Sequence, residues 1–178
     1  MSVSDSLKAI LDKEGAGKEG LAKAAKAMAE AIAASLKVKT EEVAILLLTS
    51  SGQTLKFVWP PQLAGGLAAF PVTHKSAIAS TVLATMKGKV DNKLAESRHL
   101  KFFENVKGME TSKLPIQKMV ALPLFVGDQK LGVVEVSRKG HTPEEAGPNF
   151  SPQDAQALLG ICKECSPILA KLLPQPFL

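Results

Sequence analysis

Apolar residues along this chain follow two spacings, and the switching between them lays out an order of elements. Leu7, Ile10 and Leu11 make a short helical stripe over residues 4–13 that stops at Gly15-Ala16-Gly17. Leu21, Ala25, Met28, Ile32 and Leu36 then recur by threes and fours, which predicts an amphipathic helix over 18–36. Residues 42–49 are a dense aliphatic run, and Leu55, Phe57 and Trp59 alternate with Lys56 and Val58 before Pro60-Pro61, so the two runs read as a hairpin. A third strand is expected over 67–72. A helix carrying Ile78, Val82, Leu83 and Met86 follows, capped by Thr73 or Ser76 and ended by Gly88.

Residues 119–139 hold the pattern's centre: two β-rich arms fold back on each other around Gly127, Asp128 and Gln129. Both arms are apolar at nearly every position, so both faces should be covered and the hairpin should lie mid-sheet. Gly132 marks a place where another backbone or a ligand comes close, and Pro123 a local irregularity. Glu135 breaks the run. A carboxylate in a buried strand must be paired, hydrogen-bonded or open to a wet cavity, because an isolated buried charge is very unfavourable. Its partner could be Arg98 or a lysine, or it could be a ligand contact. The last element has a clear start: Ser151 as cap, Pro152 in first place, Asp154 three after the cap, with Phe150 before it. Leu158, Cys162, Cys165, Leu169 and Leu172 form its stripe; Pro167 should bend it and Pro174 end it.

Composition narrows the classes. At 178 residues one domain is expected, and no apolar run approaches the roughly 20 residues of a membrane helix. The net charge of +5 invites nucleic acid, but Arg98 and Arg138 are the only arginines, there is no Tyr, and Trp59 is the sole Trp. Base readout leans on Arg and single-strand binding on stacked aromatics, so the scattered lysines read as a solvated surface. The opening residues lack the basic and apolar regions of a signal peptide, giving a cytoplasmic expectation. Neither nucleic acid nor membrane is an expected partner.

Candidate chemistry is sparse. Cys162 and Cys165 have the spacing of half a zinc site or a redox pair, yet lie on an apolar helical stripe where cysteine acts as a small hydrophobe. His74, His99 and His141 lack an apolar helical setting and are expected to be exposed or capping. Residues 91–117 are polar and irregular, with a helical turn expected around 99–105, and their length makes them a candidate lid or binding loop. Phe102 and Phe103 within them read as core. Residues 140–149 read as a surface loop.

The order helix, hairpin, strand, helix, long connection, hairpin, helix gives an α+β domain, an antiparallel sheet with helices on its faces and the terminal helices packed together. In this it resembles a GAF domain. The resemblance rests on residues 43–59, 76–88 and 92–102, on Met119-Val120-Ala121-Leu122-Pro123-Leu124, on Leu131-Gly132-Val133-Val134-Glu135-Val136, and on Phe150-Ser151-Pro152-Gln153-Asp154, covering roughly 20–173. The organisation expected from it is a helical extension over 1–17, one domain over 18–173 and a tail over 174–178.

What the resemblance implies is a stand-alone, non-enzymatic regulatory module. It would bind a small molecule between the sheet and residues 91–117 and form a homodimer through residues 18–36 and 165–173, with a separate signalling protein as a possible partner. The matching ligand positions are Phe70, Thr73, Ala79, Ser80, Arg98, Phe102 and Glu135. No cofactor is specified. The family's nucleotide-linked signature is incomplete, since Asn92-Lys93 and Phe102 are present but Val106-Lys107 stands where an acidic pair belongs. Bilin attachment and methionine-sulfoxide reduction need cysteines near the pocket, and here the cysteines lie only in the last helix. The alternative is an interaction or dimerisation module with a vestigial pocket, with the reductase-type enzyme behind it.

Overall fold

The computed structural model describes residues 1–64, 69–96 and 114–178. Its centre is a six-stranded sheet in which every neighbouring pair is antiparallel: β1 (Val43–Leu48), β2 (Thr54–Trp59), β3 (Ala69–Pro71), β4 (Lys89–Asp91), β5 (Ile116–Val126) and β6 (Gln129–Lys139), in spatial order β3-β2-β1-β6-β5-β4. The long hairpin is therefore mid-sheet, as its unbroken apolar runs predict. A two-residue turn at Gly127 and Asp128 joins its arms, and φ is +56° at Gly127, the conformation that makes glycine the favoured first turn residue. Gly132 faces a backbone rather than a ligand: a Cβ there would sit 2.0 Å from the Leu46 carbonyl oxygen on β1.

Among the described residues five α-helices accompany the sheet: α1 (Val3–Glu14), α2 (Lys18–Leu36), α3 (Pro61–Ala64), α4 (Ile78–Thr85) and α5 (Pro152–Leu172). Side chains alternate across the strands, so Val43, Ile45, Leu47, Val120, Val134 and Val136 join one core with α2 and α5, while Ala44, Leu46, Met119, Ala121 and Val133 join another with α4. α1 packs against α2 and α5, and its Leu7 is fully buried. Burying such a leucine is worth about 1.5–3 kcal/mol. Gly20 admits the close α1–α2 crossing, since a Cβ would lie 2.7 Å from the Gly15 carbonyl oxygen.

Helix starts follow the local grammar at two places. Ser2 with Asp5 and Ser151 with Asp154 each form reciprocal capping boxes at α1 and α5. α4 departs from it. Its cap position is Ala77, which offers no side chain, so neither Thr73 nor Ser76 caps it, and it ends at Met86 with φ +54° rather than at Gly88. α5 runs through Pro167 to Leu172 and stops just before Pro174, as expected; beside Pro167 the Ser166 hydroxyl donates to the Cys162 carbonyl at 2.7 Å. The polar stretch also yields a sixth described strand, β4, followed by a 3-10 turn at Leu94–Glu96 whose Leu94 is buried. The turn expected around 99–105 lies outside the described residues.

The C-terminal residues fold back rather than trail away. Phe177 is buried, its N–H donates to Ser50 Oγ at 2.8 Å, and its carbonyl accepts from the Ser50 N–H at 2.8 Å. Among the described residues no helix is long and apolar enough to cross a membrane.

Candidate functional site

Glu135 lies on the α4 face of β6, with Ala44 of β1 and Ala121 of β5 as its cross-strand neighbours. Those two small residues leave space above the strand for the start of α4. Glu135 is 8% exposed and accepts a hydrogen bond from the backbone N–H of Ala79, the second residue of α4. A helix whose cap residue has no side-chain acceptor is thus capped from the sheet across the core. Burial pushes the carboxyl up to about 7 from its ordinary 4.5, the Ala79 N–H pulling the other way. Among the described residues no lysine, arginine or histidine forms an ion pair with it. The suggested partner Arg98 lies outside the described residues, as does Phe102.

The other expected ligand positions fall into two groups. Thr73 and Ser80 open onto a cleft of about 530 Å³ between α4, the β1–β2 turn and the start of β6, shared with His74, Lys75, Thr81 and Lys130. Ser80 Oγ also donates to the Pro71 carbonyl at 3.3 Å, tying α4 to the end of β3. Phe70 is buried and points away from solvent, edge-on to Phe57 at 6.3 Å and to His74 at 6.3 Å. Ala79 and Glu135 are joined by the bond just described, but neither lines the cleft. Among the described residues His74 Nδ1 is buried without a hydrogen-bond partner. Nothing in the sequence singles out Lys130, because a lysine after a hairpin turn is ordinary surface chemistry.

Other conspicuous residues are structural. Asn92 of the partial nucleotide signature exchanges two hydrogen bonds with Phe150, donating to its carbonyl at 3.1 Å and accepting its N–H at 2.8 Å. Arg138 donates to the Leu36 carbonyl at 2.9 Å and lies over the Phe150 ring at 4.7 Å, finishing α2 where its last carbonyls lack partners. Cys162 and Cys165 are free and buried on the α5 stripe, and burial pushes both thiols up to about 12. Among the described residues no three His, Cys, Asp or Glu side chains gather as a metal site.

No protein-family model and no curated protein matches the chain. Solved structures do. Residues 122 to 287 of a methyl-accepting chemotaxis protein align over 96% of this chain and 96% of that one, with a TM-score of 0.68 at 12% identity. The GAF domain of an Acinetobacter phosphoenolpyruvate-protein phosphotransferase aligns over 93% of this chain and 91% of its own, with a TM-score of 0.63 at 17% identity. The free methionine-R-sulfoxide reductase of Neisseria meningitidis aligns over 95% and 87%, with a TM-score of 0.58 at 15% identity. With the antiparallel order β3-β2-β1-β6-β5-β4 and helices on both faces, these likenesses identify the architecture: the chain has the α+β fold of a GAF domain.

Proposed function

We propose that the chain is a non-enzymatic cytoplasmic sensory or regulatory module that binds a small molecule on the α4 face of its sheet. The observation that carries this reading is the buried Glu135 carboxylate holding the start of α4 through one backbone N–H. α4 is short and has no side-chain cap of its own, so a ligand that bonds Glu135 or Ala79 would compete directly for the bond that starts it. The ligand can shift α4 only by its difference in affinity for the bonded and the released arrangement. Phe70, Thr73, Ala79, Ser80 and Glu135, with Arg98 and Phe102 from residues 91–117, form the proposed site.

The thiols argue for the non-enzymatic part of the proposal. A cysteine nucleophile reacts as thiolate, and both thiols here are buried and held protonated. Homodimerisation through α2 and α5 belongs to the same proposal, with less support than the periodicity gave it, because both apolar stripes are already buried inside the chain. A second reading, an interaction module with a filled pocket, is favoured by Phe70, which occupies core space beside Phe57. Native mass spectrometry of gently purified protein separates the two. The sensor reading expects a discrete bound mass that is lost in Glu135→Ala, whereas bare protein throughout favours the interaction module.

A further inference from the structure

Residues 174–178 sit on the fold as a docked peptide would. The segment leaves α5 at Leu172 and is fastened to the β1–β2 turn by a reciprocal pair: the Phe177 N–H donates to Ser50 Oγ and the Ser50 N–H to the Phe177 carbonyl, each at 2.8 Å. Phe177 is its one buried side chain, whereas Gln175, Pro176 and Leu178 are exposed. Lys56 donates to the Leu178 carbonyl and lies 5.7 Å from the centre of the Phe177 ring, so its ammonium is engaged by the segment too. Pro174 and Pro176 have no N–H to satisfy and little backbone freedom to lose, the properties that suit proline-rich segments to docking. The fit is incomplete. Beside Phe177 an apolar cavity of about 560 Å³ remains, walled by Leu21 and Ala22 of α2 and Val58 of β2 on one side and by Pro174, Pro176 and Phe177 on the other. Atoms facing such space forgo contacts that a larger occupant would supply, so the groove has room for a second anchor that its resident segment lacks.

We propose that this groove is a docking site for a short proline-flanked segment of a partner protein bearing two adjacent apolar anchors, and that residues 174–178 occupy it as a self-ligand which the partner displaces. One anchor takes the place of the Phe177 ring. The other enters the cavity beside Leu21 and Val58, and the incoming backbone repeats the exchange with Ser50. The resident segment is tethered and so competes at high effective concentration, which is why an outside segment needs the second anchor to win. Displacement has a mechanical consequence: it frees the residues that follow α5 from the sheet. The site is separate from the α4 face and stands or falls independently of it.

The test uses the full chain and two amidated peptides of residues 173–178, one carrying Pro176→Trp to supply the second anchor, the other carrying Pro176→Trp with Phe177→Ala. Calorimetric titration is expected to show the first peptide binding saturably at one site and the second at least tenfold more weakly. Phe177→Ala in the chain withdraws the resident ring and should tighten the first peptide at least tenfold. Ala22→Trp in the chain, at an exposed position that opens onto the cavity, should weaken it at least tenfold while leaving the melting temperature within a few degrees of the parent. Amide exchange in the peptide-saturated parent should speed up at Phe177 and stay slow at Ser50, whose acceptor carbonyl is replaced in kind. That measurement needs no variant and decides the matter even where Phe177→Ala does not fold. Four results would overturn the proposal: no saturable binding, equal affinity for the two peptides, affinity unchanged by Ala22→Trp, or Phe177 exchange unchanged at saturation. Dimerisation that Phe177→Ala abolishes, with no peptide binding, would assign the groove to a second copy of the chain instead.

Discussion

On one face of the sheet Val43, Ile45, Leu47, Val120, Val134 and Val136 pack beneath α2 and α5; on the other, Ala44, Leu46, Ala121 and Val133 share the surface with the carboxylate of Glu135. The first face is covered by two long helices, of 19 and 21 residues, with α1 against them; the second by an eight-residue helix that has no cap of its own. Stability comes from apolar burial, and among the described residues the first face carries the larger buried apolar cluster. Adjustability comes from groups whose partners can change, and those are on the second. The same strands serve both purposes because successive residues point to opposite sides.

Several substitutions break or sharpen this contrast, and they fall in order of size. Gly132→Val should hit both faces at once, since a side chain would collide with the Leu46 carbonyl in the middle of the sheet; the expected result is no cooperative unfolding transition. Met28→Ala empties fully buried space on the helical face and should cost about 2–5 kcal/mol in denaturant unfolding, independent of pH.

Glu135→Gln probes the other face with the opposite sign. The folded carboxyl titrates near 7 and the unfolded one near 4.5, so between those values the folded state holds more protons. Stability from this group is therefore present below about pH 4.5 and is lost as pH rises through 7. The amide keeps an acceptor for the Ala79 N–H and has no proton to lose, so at pH 8 the variant should exceed the parent by about 3 kcal/mol, and near pH 4.5 the two should coincide. Parallel denaturant melts at both pH values check it; equal stability at pH 8 would refute the buried-carboxylate account. Ser151→Ala is the smallest, about 1 kcal/mol from the lost α5 cap, seen as a drop of a few degrees in melting temperature.

Local signals decided which parts were legible in advance. α2 appears with both ends as its periodicity placed them, α5 starts at its capping box, and the β5–β6 hairpin sits mid-sheet as its unbroken apolar runs required. α4 departs from its local signals at both ends. Its first turn is held by Glu135, far away in the chain, and its last residue is followed by Met86 in a left-handed conformation that methionine does not advertise. β4 has no signal in the sequence because three residues carry no period. The candidate site was the harder case. Glu135 stood out as a charge in an apolar run, but its partner is a backbone N–H, which no side chain announces. Thr73 and Ser80 came together through the turn after β3, whereas Lys130 gave no sign that β6 would bring it to the same cleft.

The brevity of the outermost described strands, β3 and β4, bears on how copies of the chain meet one another. Each is three residues long, one carrying Pro71 and the other Lys89 and Asp91. A short rim with a missing donor or fixed charges is a poor template for a foreign strand. The two eleven-residue aliphatic strands at the sheet's centre, the segments most prone to fibril-type stacking, are thereby shielded from intermolecular pairing.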